Sequence, residues 1–187
     1  METHIHKLHT TKLGSAVLSV LSGALLYASI FLPDKLRLVM VCVAIVPLFF
    51  ALHKKSLMFS FFLGALFGFA NGLLMALPVV GMASAYFGSN MLVGYLMYFS
   101  LALVFAVWPA IFSITYSYLK ISEKRVSVFY FLLIGAIWAS VDFLNYLLLP
   151  SFPWTNNFLG YYIATVPQSI QLAKVQVCLV LLSFSSR

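Results

Sequence analysis

Six stretches of this chain are apolar enough to stand in lipid, and short polar or proline-bearing breaks separate them. They run over about 13–32, 36–52, 57–77, 91–119, 126–149 and 175–184. A spanning helix needs about 20 consecutive apolar residues. The pattern therefore predicts five spans and an incomplete sixth, an all-α polytopic transmembrane helix bundle forming one membrane domain over 1–187.

The breaks refine the picture. Pro33-Asp34-Lys35 closes the first span and His53-Lys54-Lys55 the second, which is short and holds Pro47. The segment from Pro78 to Asn90 is uncharged and predicts a loop, with Tyr86 and Phe87 as interfacial aromatics. The fourth stretch is too long for one perpendicular span and contains Trp108-Pro109, so it predicts a tilted or proline-kinked helix. Lys7 and Lys12 precede a full-length first span, the pattern of an uncleaved signal-anchor helix rather than a cleaved leader.

Small residues recur at helical spacing. Ser15, Ser19 and Gly23 share one face of the first span, and Gly64, Gly68 and Gly72 form a double G-x-x-x-G in the third. Such stripes let helix backbones approach closely where lipid supplies no hydrophobic drive for association. Asn71 lies beside the second stripe, and an amide at this depth calls for a partner on another helix or in a polar cavity.

Composition removes the soluble alternatives. The chain is 63% hydrophobic and 8% charged, with mean hydropathy +1.05, against about 45–50% apolar and 25% charged in soluble domains. Its net charge of +7 comes from basic residues scattered between apolar runs, which form no nucleic-acid-binding stripe and read instead as topology signals. With the N-terminus inside, Lys7, Lys12, Lys54, Lys55, Lys120, Lys124 and Arg125 are cytoplasmic, and Lys35, Arg37 and Lys174 are external. Seven against three predicts a cytoplasmic N-terminus.

Chemistry-bearing residues are few. Cys42 and Cys178 lie in apolar runs without Cys-x-x-Cys spacing and read as buried small hydrophobes. His4, His6 and His9 fall in a polar tail without further ligands, so no metal site and no cofactor are expected. Asp142 is the exception, since a carboxylate inside a span costs roughly 2.5–3.5 kcal/mol on insertion scales. Trp138, Asp142, Asn145 and Leu149 follow i, i+4, i+7 and i+11 spacing and share a face. Two readings stay open: a site facing polar substrate, or a hydrogen bond between helices with Asn71 as partner.

The stretch "IWASVDFLNYLLLPSFPWTNNFLGYYIATVPQSIQLAKV" resembles bacterial apolipoprotein N-acyltransferase. That family has a Trp, Glu-x-x-Arg, Gly-Phe-Pro-Trp, Leu-Gly-Tyr and Gln-x-Ala in this order. Trp138, Phe152, Pro153, Trp154, Leu159, Gly160, Tyr161, Gln171 and Ala173 keep the pattern, while Asp142, Asn145 and Ser151 depart from it. "LSGALLYASIFLPDKLRLVMVCVAIVPLFFAL" and "FFLGALFGFANGLLMALPVVGMASAYFG" are similar to the family's opening helices.

The resemblance implies an inner-membrane protein of lipoprotein maturation. Its reaction moves an acyl chain from a membrane phospholipid to the N-terminal cysteine amine of a lipoprotein substrate. In the family the catalytic Glu/Lys/Cys set sits on a nitrilase-like domain after the sixth helix, and neither Cys42 nor Cys178 suits that role. The expectation is a truncated membrane domain, not catalytic alone, either completed by a separately encoded nitrilase-like chain or left as a degenerate relic. Trp138, Asp142, Asn145, Phe152, Pro153, Trp154, Tyr161 and Gln171 are then the lipid- or partner-facing candidates. The alternative is a small scaffold or transporter-like protein, although no internal repeat supports transport.

Overall fold

The computed structural model describes residues 11–88, 90–119 and 128–148. Among these there are six α-helices and no strand: α1 Lys12–Ala28, α2 Asp34–Leu52, α3 Leu57–Met75, α4 Leu77–Phe87, α5 Met91–Tyr118 and α6 Val128–Leu148. A 3-10 turn, Ser29–Phe31, extends α1.

Local chemistry sets several of the ends. The Thr11 hydroxyl accepts from the Gly14 amide at 3.0 Å and starts α1. Its far end meets Arg37 of α2, whose Nη2 donates to the Ile30 and Leu32 carbonyls at 3.3 and 3.1 Å. These carbonyls have no intrahelical donor, and a guanidinium there also complements the negative end of the helix dipole. The Asn90 side chain caps α5 by accepting from Leu92.

The distribution of size and polarity inverts that of a soluble domain. Ser15, Ser19, Ser22, Ser60, Asn71, Ser113 and Asn145 are buried, whereas Phe61, Phe62, Leu96, Leu103, Val107 and Phe143 are exposed. An exterior this apolar is stable against acyl chains and not against water.

Close approach organises the interior. The most extensive contact is between α3 and α5, where the glycine stripe removes the side chains that would hold the helices apart. A Cβ on Gly64 would meet the Pro109 carbonyl and Ser113, and one on Gly68 would meet the Phe105 carbonyl. At Gly72 it would lie 2.7 Å from Phe105 Cβ. Gly23 places α1 equally close to Phe67 and Asn71 of α3.

Serine hydroxyls then reach across. Ser19 donates to the Leu63 carbonyl, Ser22 to the Ala44 carbonyl, and Ser117 to the Ser60 hydroxyl at 2.7 Å. Interhelical bonds of this kind contribute about 0.6 kcal/mol each on average.

Four expectations need correction. Residues 77–87 form a helix and not a loop, because Pro78 lies in its first turn, where a missing amide costs nothing. Gly88, at φ 56°, ends that helix in the left-handed conformation. Among the described residues three helical segments, fewer than the five expected, are long and apolar enough to cross a membrane: Lys12–Phe31, Leu57–Met75 and Met91–Tyr118. Shorter apolar stretches, Val39–Leu52 of α2 and Phe129–Asn145 of α6, are found among the described residues; the run at 175–184 lies outside them.

Cys42 is exposed on α2 rather than buried, on a surface shared with Val39, Val43 and Val46. Finally, Asn71 is fully buried, yet neither atom of its amide has a hydrogen-bond partner among the described residues. The proposed pairing of Asn71 with Asp142 is therefore absent.

Candidate functional site

Helix spacing puts Trp138 and Asp142 one turn apart on α6, and the structure turns both toward α5. There they line a cleft with Trp108, Pro109 and Phe112 of α5 and Val141 of α6. The cleft is partly open, its space of about 210 Å³ includes open solvent, and it has room for no more than about one water-sized group.

Aromatic packing holds its walls. Phe112 stands edge to face against Trp138 with centroids 4.7 Å apart, and it also packs on Tyr116 and on Phe49 of α2. Offset and edge-on arrangements of this kind add about 0.5–1.5 kcal/mol beyond area burial. The floor is set by Pro109, which cannot donate to the Phe105 carbonyl. That same carbonyl is among the atoms closest to Gly68, so the proline and the glycine stripe occupy one contact.

Polarity within the cleft comes from three groups. Trp108 is 7% exposed, and its indole N–H is buried without a hydrogen-bond partner among the described residues. The Trp138 indole interacts with the Asp142 carboxyl, but its buried N–H completes no hydrogen bond of ordinary geometry. Two donors and one carboxyl thus converge in a setting otherwise made of ring and aliphatic carbon. No group of three or more possible metal ligands occurs among the described residues.

Asn145, 1% exposed, also turns inward but does not line the cleft. Gly64, Gly68 and Gly72 lie on α3 and face α5, outside the cleft. Phe152, Pro153, Trp154, Tyr161 and Gln171 fall outside the described residues, as does Leu149. Sequence reasoning treated Trp108-Pro109 only as a kink and passed over Phe112. A signal was available, since Trp108 and Phe112 are one turn apart.

No curated protein and no solved structure matches the chain. A family model does: that of the apolipoprotein N-acyltransferase N-terminal domain, over residues 22–184. A match of that extent covers α2 to α6 and the stretch carrying Phe152-Pro153-Trp154, and the chain belongs to the apolipoprotein N-acyltransferase N-terminal domain family.

Proposed function

We propose that this chain is the membrane-embedded half of a lipoprotein N-acylating system in a bacterial inner membrane. Its part is to seat a phospholipid acyl donor and a lipoprotein substrate beside a nitrilase-like catalytic unit, which carries out the transfer to the cysteine amine. The family match over residues 22–184 is the observation that carries this reading.

The described geometry supports it in two ways. An exterior of large apolar side chains suits acyl chains, and the α5/α6 cleft supplies a polar point within that surface. We further propose that α2 and α6 complete five spans, with packing against neighbours compensating for their shorter apolar stretches. A cytoplasmic N-terminus follows from the basic-residue count and puts Phe152-Pro153-Trp154 on the external face.

The test is expression in cells depleted of lipoprotein N-acyltransferase, with the acylation state of a lipoprotein read by mass spectrometry. The chain alone should leave the lipoprotein diacylated. Co-expression with a nitrilase-like catalytic unit should restore the third chain. Triacylation by the chain alone would overturn its dependence on a partner, and none with the partner would overturn the lipoprotein reading.

A further inference from the structure

The α3 and α4 helices face α5 in one antiparallel register. A Cβ on Gly72 of α3 would meet Phe105 and Ala102 of α5, and one on Gly94 of α5 would meet the Val80 carbonyl of α4. α4 therefore continues α3 along α5, and together they make one long hairpin. From 56 to 119 its sequence holds no Asp, Glu, Lys, Arg or His.

α1 measures how much of that hairpin lies in lipid. It runs parallel to α3, since Ser19 donates to the Leu63 carbonyl and Gly23 sits against Phe67. Lys12–Phe31 is 20 residues long, about 30 Å and the thickness of the hydrocarbon core. At its far end Arg37 of α2 donates to the Ile30 and Leu32 carbonyls, so a guanidinium marks the boundary. In the same register this level falls near Met75 of α3 and Phe99 of α5.

Beyond that level, on the side opposite Lys12, stand α4 and residues 91–99 of α5, about 14–16 Å of helix. A headgroup layer is only about 5–8 Å deep. The tip passes through it, yet Leu77, Met82, Met91, Leu92, Leu96 and Phe99 are exposed there. Acyl chains do not reach that height, and water covers so apolar a surface poorly.

α6 brings the rest of the chain to the foot of the tip. Phe112 packs on Trp138, and Trp108 and Asp142 line one cleft, so α6 runs antiparallel to α5 and its last residue, Leu148, stands level with Ala102. Residues 149–173, which follow, carry no charge and include Phe152, Trp154, Phe158, Tyr161 and Tyr162; they fall outside the described residues. Trp154 is six residues past Leu148, a reach of up to about 20 Å, which exceeds the height of the tip.

We propose that the stretch from Ser151 to Tyr162 folds back over the α4/α5 tip and forms its cover. Leu92, Leu96 and Phe99 share one exposed face of α5, and Phe152 and Trp154 close it. Aromatic side chains suit that surface because each buries a large apolar area, and the tip offers no charge to an acidic or basic partner. The cover goes beyond the lipoprotein reading and does not depend on it.

The experiment uses the full chain, expressed without a catalytic unit, in open membrane fragments, with Cys42→Ser and Cys178→Ser throughout. Leu96→Cys and Thr155→Cys are joined by a short bismaleimide, and the linked peptide is identified by mass spectrometry. Both variants keep Phe152 and Trp154. The link should form within one chain, severalfold more than between Leu96→Cys and Ser56→Cys, which lies at the opposite end of the hairpin. A charged maleimide should label Leu96→Cys slowly, and severalfold faster once Phe152→Ser and Trp154→Ser strip the cover. Thermal unfolding of each variant reports whether the bundle is intact.

A link between Leu96→Cys of two chains, in place of one within a chain, overturns the proposal and gives the tip to a second copy. Rapid labelling with the aromatics intact overturns it by leaving the tip to water. Slow labelling without a link to Thr155→Cys overturns it by laying the tip in lipid. No readout involves lipoprotein acylation, so the two readings stand or fall separately.

Discussion

Phe112 of α5 and Trp138 of α6 meet edge to face at 4.7 Å, and they join α6 to the helix on which it packs most. The Phe112 ring is 1% exposed and also contacts Phe49 and Tyr116, so it connects three helices at once. Phe112→Ala should cost about 3–5 kcal/mol, the range for emptying a buried aromatic site. Phe112→Leu should cost roughly half as much or less. Unfolding in detergent micelles, followed by indole fluorescence, measures both; an alanine variant within 1 kcal/mol of wild type, a margin well below that range, would show that the ring is not a tie.

The glycine stripe makes a sharper forecast, because the space at each position is known. Gly64→Ala drives a methyl into the Pro109 carbonyl and Ser113, while a Cβ at Gly81 meets nothing within 4 Å. Gly64→Ala should therefore lower the unfolding temperature markedly and Gly81→Ala should leave it alone. Equal unfolding temperatures for the two variants would contradict the close approach of α3 and α5.

Asn71 predicts the opposite sign. Its amide is buried with no partner among the described residues, and an unsatisfied buried polar group costs about 1–3 kcal/mol. Asn71→Ala should be neutral or stabilising in the same unfolding assay, despite removing atoms from a packed site. A loss of several kcal/mol, above that range, would mean that the amide is bonded in the membrane.

Cys42 tests the placement of α2. It is exposed midway along the helix, on a surface that faces acyl chains, and thiols react as thiolates, which need water. In a Cys178→Ser background, a charged maleimide should fail to label Cys42 in intact membranes and should label it after denaturation. Rapid labelling of intact membranes would place that face of α2 against water.

Much of the fold was legible because membrane helices announce themselves by run length. The break at Pro33-Asp34-Lys35, the long helix through Pro109 and the start of α6 all follow from apolar runs and their punctuation. Pro78 was misread because the same residue that stops a helix in its interior is favoured in the first turn of the next, and only tertiary packing decides which.

The site was legible by halves. Helical spacing along a single span put Trp138 and Asp142 on one face, but it carries no information about which residues of another helix stand opposite. Trp108, Pro109 and Phe112 therefore stayed outside the candidate set until α5 and α6 were seen together.

The position of Asp142 has a consequence for how the protein is made. As α6 leaves the translocation channel it carries Asp142 and Asn145 within its apolar run, and polar groups at that depth make the segment costly to partition into lipid by itself. Its welcome surface is α5, which precedes it in synthesis and already displays Trp108 and Phe112. Synthesis order thus suits the packing: the aromatic wall of the earlier helix is already made when the acidic one arrives.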